Sequence, residues 1–142
     1  MQVKDLMAES VVSVSPESTA EFAARMMARH NIGSLPVCGP DGRLRGVVTD
    51  RDIVTRCVAA EADPSDTAVR EIMTRTVVTA GPEDDLRKAA HLMSGERVRR
   101  LPVVEDGRLV GAVSLGDLAA SGACEMEVSR ALTAISSEVK AP

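Results

Sequence analysis

Apolar residues follow two different spacings along this chain, and the spacings occur in the same order in each half. Short runs of β-branched residues predict strands at 11–14, 35–38 and 44–49. Between the first two, apolar residues recur every three or four positions up to about His30, which predicts a helix with one buried face. That face is made of Phe22, Ala23, Met26 and Met27. A second helix at 50–60 completes the set.

Local signals between these elements predict where each one starts and stops. Ser18 or Thr19 can cap the first helix, and Gly33 is the expected left-handed stop behind it. The run Gly39-Pro40-Asp41-Gly42 predicts a tight turn, so the flanking strands should pair as a hairpin.

The second half of the chain repeats these elements. The pattern predicts a strand at 77–80, a helix at 83–95, strands at 102–105 and 109–114, and a helix at 115–121. A further stretch at 123–139 has no counterpart in the first half. It predicts an amphipathic helix whose apolar face contains Val128, Ala131, Leu132 and Ile135.

The repetition extends to individual residues. Shifting the chain by 66 positions places Leu35-Pro36-Val37 on Leu101-Pro102-Val103. One deletion near Asp41 reduces the shift to 65, after which Gly46 meets Gly111. Matches along nearly the full length of each half indicate a duplication.

The duplication predicts an α/β (α+β) protein built from two β-α-β-β-α units. Each unit is too small to bury a sufficient core alone, so the two should pack together with pseudo-twofold symmetry. A ligand cleft is expected between them. We place the first unit at 3–60, a polar linker at 61–68, the second unit at 69–121, and a helical tail at 122–142.

Each half also contains a hydroxyl residue followed three positions later by aspartate, where a strand gives way to a helix. Thr49 precedes Asp50 and Asp52, and Ser114 precedes Asp117. The hydroxyl can accept a hydrogen bond from a free N–H of the first helical turn, and that end of a helix attracts phosphate. The aspartate could accept hydrogen bonds from ribose hydroxyls, or it could simply complement the helix dipole.

Composition argues against several classes of function. A formal net charge of −4, one Phe and no Trp or Tyr disfavour nucleic-acid binding, which uses basic surfaces and aromatic side chains. No apolar run approaches the ~20 residues of a membrane span. The first residues carry no signal-peptide pattern, so we expect a cytoplasmic protein. No GxSxG, HExxH or P-loop motif occurs, so we do not expect an enzyme.

The cysteines and histidines leave one metal hypothesis open. Cys38, Cys57 and Cys124 are odd in number and widely spaced, which argues against a disulfide framework. His30, Cys38 and His91 could bind a metal, but their spacing is loose for zinc, which takes three or four ligands in compact geometry. Surface histidines and a core thiol are the simpler interpretation.

Together these residues resemble the tandem cystathionine-β-synthase (CBS) domain pair, or Bateman module. The resemblance rests on Leu-Pro-Val, then Asp-Gly-Arg-Leu, then Gly-x-Val-Thr/Ser-x-x-Asp, each present twice between residues 3 and 121. The stretches at 30–38 and 49–54 are especially similar to stand-alone two-CBS proteins of the hypoxic response protein type. The tail departs from the family pattern.

The resemblance implies two clefts between the units that hold adenosine-containing ligands such as AMP, ADP, ATP or S-adenosylmethionine. In each cleft, the Thr/Ser-x-x-Asp motif of one unit faces the segment before the Leu-Pro-Val strand of the other. The favoured site would contain Thr49, Asp50, Asp52, Thr76, Val98, Arg99 and Arg100. The second site would contain Ser10, Ile32, Gly33, Ser34, Ser114 and Asp117.

The two implied sites differ in charge. Arg99 and Arg100 supply planar charged forks suited to phosphate, whereas the second site has small uncharged residues at the same places and gains no cation. We therefore expect the phosphorylated ligand in the favoured site, and either no ligand or an uncharged adenosyl group in the second. Mg²⁺ could accompany the phosphate at Asp50 and Asp52, and no other cofactor is expected.

The resulting hypothesis is a regulatory protein that senses an adenosine nucleotide and signals to an unidentified protein partner. The family implies a homodimer in which two domain pairs form a flat disc. Two alternatives remain open from the sequence. One is a ligand-free dimerisation or interaction protein, and the other is a metal-binding stress protein that uses His30, Cys38 and His91.

Overall fold

The structure is a computed structural model that describes residues 1–137. The chain divides into two compact units. We call Val12–Val77 the continuous unit, because it is a single stretch of chain. We call the other the composite unit, because it combines Met1–Val11 with the residues from Val78 onward.

The continuous unit is a β-hairpin covered by short helices. Its elements are α1 (Ala20–His30), β1 (Ser34–Cys38), β2 (Leu44–Thr49), α2 (Asp50–Ile53), a π-helical turn (Val54–Val58) and α3 (Val69–Ile72). The strands are antiparallel, with Ser34 opposite Thr49, as the turn sequence between them predicts. The core contains Leu35 and Val48 from the hairpin and Ala23 and Met27 from α1.

The composite unit repeats this arrangement and adds one helix. Its elements are a 3-10 turn (Val3–Asp5), α4 (Leu86–Glu96), β3 (Arg100–Glu105), β4 (Arg108–Ser114), α5 (Leu115–Ser121) and α6 (Glu125–Ser136). The predicted tail helix is confirmed as α6, which buries Val128 and Ala131. Residues 138 and 139 of that prediction lie outside the described residues.

The compact units do not coincide with the sequence repeats. The first residues of each repeat pack into the unit formed mainly by the other repeat. Val3 therefore belongs to the core of the composite unit, and Val69 and Ile72 belong to the core of the continuous unit. The boundaries predicted at 3–60 and 69–121 describe the duplicated sequence rather than the compact units.

Two glycines let these exchanged segments approach the hairpins closely. Thr74 pairs with Val47 through two backbone hydrogen bonds of 2.9 Å, beside Gly46. A Cβ atom on Gly46 would lie 2.5 Å from the Thr74 carbonyl oxygen. In the composite unit, a Cβ atom on Gly111 would lie 2.8 Å from the Ala8 carbonyl oxygen. The strands at these two positions thus require a residue without a side chain.

Several local predictions need correction. The runs at 11–14 and 77–80 are not strands, because only Val14 and Ala80 form single bridges to the hairpins. Phe22 is 47% exposed, since it lies at the edge of the α1 stripe whose centre is Ala23 and Met27. Thr19 does cap α1, and its hydroxyl accepts a hydrogen bond from the Phe22 N–H at 3.0 Å.

The left-handed stop behind α1 is Asn31, with φ of 52°, and not Gly33. The equivalent residue behind α4 is Arg97, with φ of 56°. Both residues have a Cβ atom, which makes this conformation costly, but the short polar side chain of asparagine can offset the cost by hydrogen-bonding locally, whereas arginine bears it in full.

We expect Arg97→Asn to raise the free energy of unfolding by about 0.5–1 kcal/mol, because it relieves this cost. The reciprocal change Asn31→Arg should lower it by a similar amount. Urea denaturation of the three proteins checks both signs. An Arg97→Asn protein less stable than the parent would mean that the arginine side chain contributes more than its backbone conformation costs.

Within residues 1–137, no helix is both long enough and apolar enough to cross a membrane.

Candidate functional site

The end of β4 in the composite unit is built around a reciprocal pair of hydrogen bonds. Ser114 Oγ accepts a hydrogen bond from the Asp117 N–H at 3.1 Å. In return, Asp117 Oδ2 accepts one from the Ser114 N–H at 3.0 Å. This capping box fixes both side chains where α5 begins. Ser114 keeps its hydroxyl proton, and Asp117 Oδ1 is not needed for the cap.

The hairpin of the composite unit brings two arginines to the same place. Arg100 is the first residue of β3 and lies opposite Ser114 in the antiparallel register. The carbonyl oxygen of Arg99 accepts a hydrogen bond of 2.8 Å from the Leu115 N–H. Both arginine side chains are exposed. Residues 14 positions apart in sequence, Arg100 and Ser114, thus become neighbours because the strands pair end to end.

These residues line a cavity of about 360 Å³ that lies within the composite unit. One part of its wall is basic and polar, and the other part is apolar and comes from α5 and α6. The lining residues are Arg99, Arg100, Ser114, Leu115, Gly116, Ala119, Val128 and Leu132. The volume falls in the range of small-molecule sites. Permanently charged guanidinium groups beside a hydroxyl make this cavity suitable for an anionic group.

The corresponding place in the continuous unit lacks the two arginines that precede β3 and begin it. Ser34 lies opposite Thr49, and the Gly33 carbonyl oxygen accepts a hydrogen bond of 2.9 Å from the Asp50 N–H. Gly33 is the counterpart of Arg99 in the duplicated sequence. A Cβ atom on Gly33 would lie 2.9 Å from Asp50 Oδ2, so the Asp50 carboxylate lies directly beside this position. This place therefore has Gly33 and Ser34 where the composite unit has Arg99 and Arg100, with the Asp50 carboxylate beside Gly33.

Asp52 is more deeply involved in the fold than Asp117. It forms the same capping box with Thr49, through two hydrogen bonds of 3.0 Å. Its side chain is buried, and Oδ1 lies 3.8 Å from Arg56 Nη1 on the next turn. Asp117, by contrast, is exposed. The capping role explains Asp52 without a ligand, whereas Asp117 remains accessible to one.

The structure adds an arrangement of charge that the motifs do not predict, because Arg99 and Arg100 line a cavity with Ser114 within the composite unit. The expectation that Ser114 and Asp117 gain no cation from Ser10, Ile32, Gly33 and Ser34 stays a prediction. The pairing of these arginines with Thr49, Asp50 and Asp52 stays a prediction. Mg²⁺ at Asp50 and Asp52 also stays a prediction.

The other predicted site residues do not line this cavity. Ser10, Thr76 and Val98 are exposed, and Ile32 is half-buried behind α1. The cavity instead uses residues that the motifs do not include. Val128 and Leu132 belong to the apolar face that the tail sequence predicts, but its periodicity gives no sign that they face a cavity.

The metal hypothesis gains no support from the described part of the chain. Among residues 1–137, no group of three or more His, Cys, Asp or Glu side chains is placed to hold a metal ion. His30 and His91 are exposed on the surface. Burial raises the pKa of the Cys38 thiol, which disfavours the thiolate that zinc requires.

The duplicated hairpins and capping boxes match a known family. The family model of the CBS domain matches two segments, residues 3–59 and 69–122. The chain belongs to the CBS-domain family. Helix α6 begins after the second matched segment, so it is an addition to the CBS pair.

Similar proteins extend over most of the chain. The CBS domain-containing protein YhcV of Bacillus subtilis is 42% identical over 134 residues, which is 94% of each chain. The crystal structure of Hypoxic Response Protein I with two coordinated zinc ions has 36% identity and a TM-score of 0.78. It covers 84% of this chain, and the match spans 98% of that one.

Two further CBS structures contain adenosine compounds. The CBS domain pair of protein MJ0100, in complex with 5′-methylthioadenosine and S-adenosyl-L-methionine, is 29% identical with a TM-score of 0.75, over 88% of this chain and 98% of that one. CBSX2 in complex with AMP is 25% identical with a TM-score of 0.75, over 85% and 95% of the two chains. These compounds are ligands of those proteins.

Proposed function

We propose that this CBS pair is a regulatory module that binds an adenosine-containing ligand, with the phosphate of the ligand at Arg99, Arg100 and Ser114. The observation that carries the proposal is the cavity of about 360 Å³ with these three residues in its wall. Each guanidinium group can donate two parallel hydrogen bonds to a phosphate, and the Ser114 hydroxyl can donate one more.

Asp117 does not line the cavity but follows the lining residue Gly116, and we assign recognition of the ribose to it. Its Oδ2 is held by the capping box, and its exposed carboxylate can accept hydrogen bonds from ribose hydroxyls. Adenosine ligands in the MJ0100 and CBSX2 structures support this ligand class for the family. Within its own unit, Thr49 has the Asp50 carboxylate beside it and no counterpart of Arg99 or Arg100, so an uncharged adenosyl group is the ligand that we assign to this place.

A ligand changes the output of the module only if it binds two conformations with different affinity. We expect a protein partner to bind one of those conformations in preference to the other. We also expect the module to be a homodimer and to have a regulatory rather than a catalytic role. The ligand-free interaction protein and the metal-binding protein are the outcomes that compete with this proposal.

Thermal unfolding in the presence of adenosine, AMP, ATP, S-adenosylmethionine or zinc chloride tests the three functions together. We expect AMP or ATP to stabilise the chain more than adenosine does, because only the phosphorylated ligands contact Arg99 and Arg100 through phosphate. A ligand at 100 times its Kd adds about 2.7 kcal/mol to the free energy of unfolding. Stabilisation by zinc alone would favour the metal-binding function. Absence of any shift with the adenosine compounds would contradict the proposal and favour the ligand-free interaction protein.

A further inference from the structure

The cavity in the composite unit has an apolar wall that the CBS pair alone does not supply. Val128 and Leu132 of α6 line it, together with Leu115 and Ala119 of α5. The family match ends at residue 122, and the first repeat has no counterpart to α6. The apolar side of this cavity thus combines α5, which lies within the matched segment, with the added helix α6.

Helix α6 is firmly attached to the rest of its unit. Cys124, Val128 and Ala131 belong to the buried core of the composite unit, and Ile135 packs against that core. Salt-bridge geometry between Arg87 of α4 and Glu127 of α6, at 3.7 Å, adds a polar contact. The core of the composite unit therefore holds the α6 part of the wall in place.

Leu132 is the residue of this wall that is not used by the fold. Val128, one helical turn earlier, is only 6% exposed, whereas Leu132 is 46% exposed although it lines the cavity. A half-exposed leucine beside two arginines offers apolar area that a group bound in the cavity can cover.

We infer that Leu132 of α6 is a specificity-determining residue that contacts the base of a bound nucleotide, while Arg99 and Arg100 hold its phosphate. The inference rests on the proposed function. The cavity is basic at one side and apolar at the other, so it fits an anion that carries a flat apolar group better than a bare sugar phosphate. The added tail helix thereby sets which phosphorylated compound the module senses.

The test compares AMP with ribose 5-phosphate, which has the same phosphate and sugar but no base. We expect Leu132→Ser to weaken AMP binding about tenfold and to leave ribose 5-phosphate binding unchanged, both measured by titration calorimetry on the full chain. Leu132→Met, which preserves the apolar area, should bind AMP within about twofold of the parent.

Met126→Ser is the matched control. Met126 is also on α6 and is 67% exposed, but it does not line the cavity, so AMP affinity should stay within about twofold. Because Leu132 is half-exposed, its replacement should not unfold the chain, and thermal unfolding verifies this. AMP binding by Leu132→Ser equal to that of the parent, or an equal loss for AMP and ribose 5-phosphate, would overturn the inference while the proposed function stands. Failure of the parent protein to bind any adenosine compound would overturn both.

Discussion

We expect Gly46→Ala to lower the free energy of unfolding by about 3 kcal/mol. The new Cβ atom would lie 2.5 Å from the Thr74 carbonyl oxygen, and backbone cannot move aside as a side chain can. Relief of this overlap requires Thr74 to separate from Val47, which breaks the two hydrogen bonds that attach the exchanged segment to β2. Overpacking of this kind costs about 1–3 kcal/mol, and the lost hydrogen bonds add to it.

Gly111→Ala should be milder, at about 1–2 kcal/mol. There the Cβ atom would also meet Met7 Sδ at 2.9 Å, which belongs to a flexible side chain, and the backbone contact to Ala8 is longer at 2.8 Å. Gly95→Ala is the matched control. Gly95 lies in helix α4, and a Cβ atom on it would meet nothing within 4 Å. Alanine there should raise stability by up to about 1 kcal/mol.

Urea denaturation of these three variants measures the whole series. The order from least to most stable should be Gly46→Ala, Gly111→Ala, parent and Gly95→Ala. A Gly46→Ala protein as stable as the parent would show that Thr74 does not lie against β2 in solution.

The second large effect concerns the arginines of the cavity. We expect the double change Arg99→Ala and Arg100→Ala to weaken AMP binding about 100-fold and to change adenosine binding by less than about twofold. Each charge-assisted contact to a phosphate contributes roughly 1.5 kcal/mol when the arginine is exposed, and a tenfold change in Kd corresponds to about 1.4 kcal/mol. Calorimetry with the two ligands separates loss of the phosphate site from loss of the fold.

Two comparisons sharpen this test. Arg130→Ala removes an exposed arginine of α6 that does not line the cavity, and it should leave AMP affinity unchanged. Arg99→Lys with Arg100→Lys keeps the charge but removes the bidentate forks, so its affinity should fall between those of the parent and the alanine variant. Full AMP affinity in the alanine variant would place the phosphate away from this cavity.

Much of the fold follows from local signals in the sequence. The hairpins, the capping boxes and the tail helix each depend on residues close together in the chain, such as Thr49 with Asp52 or Ser114 with Asp117. The turn sequences and apolar spacings are sufficient to predict them. The stop at Asn31 was missed because the neighbouring Gly33 has the residue type that usually ends a helix.

The exchange of segments between the units could not be predicted, for a physical reason. Met73 lies over Gly46, and Met7 lies over Gly111. Because the duplication gives both repeats the same methionine and the same glycine, either pairing satisfies the pattern equally well. The sequence pattern alone therefore does not distinguish pairing within a repeat from pairing between the repeats.

The arginine placement, in contrast, was within reach of the sequence. An antiparallel hairpin joined by a tight turn brings its first and last residues together, so Arg100 must lie near Ser114. The family resemblance instead suggested a partner in the other repeat. Hairpin register is the more direct guide to neighbours within one unit.

The composition of the composite unit from two distant segments also affects the order in which the chain can fold during its synthesis on the ribosome. All residues of the continuous unit have emerged once its last residue, Val77, leaves the ribosome. Residues 1–11 cannot yet pair at that stage, because Asp84 and Ala112, which bind Val3 and Ala8, follow Val77 in the chain. Residues 1–11 must therefore remain without these partners until the residues that follow Val77 have emerged.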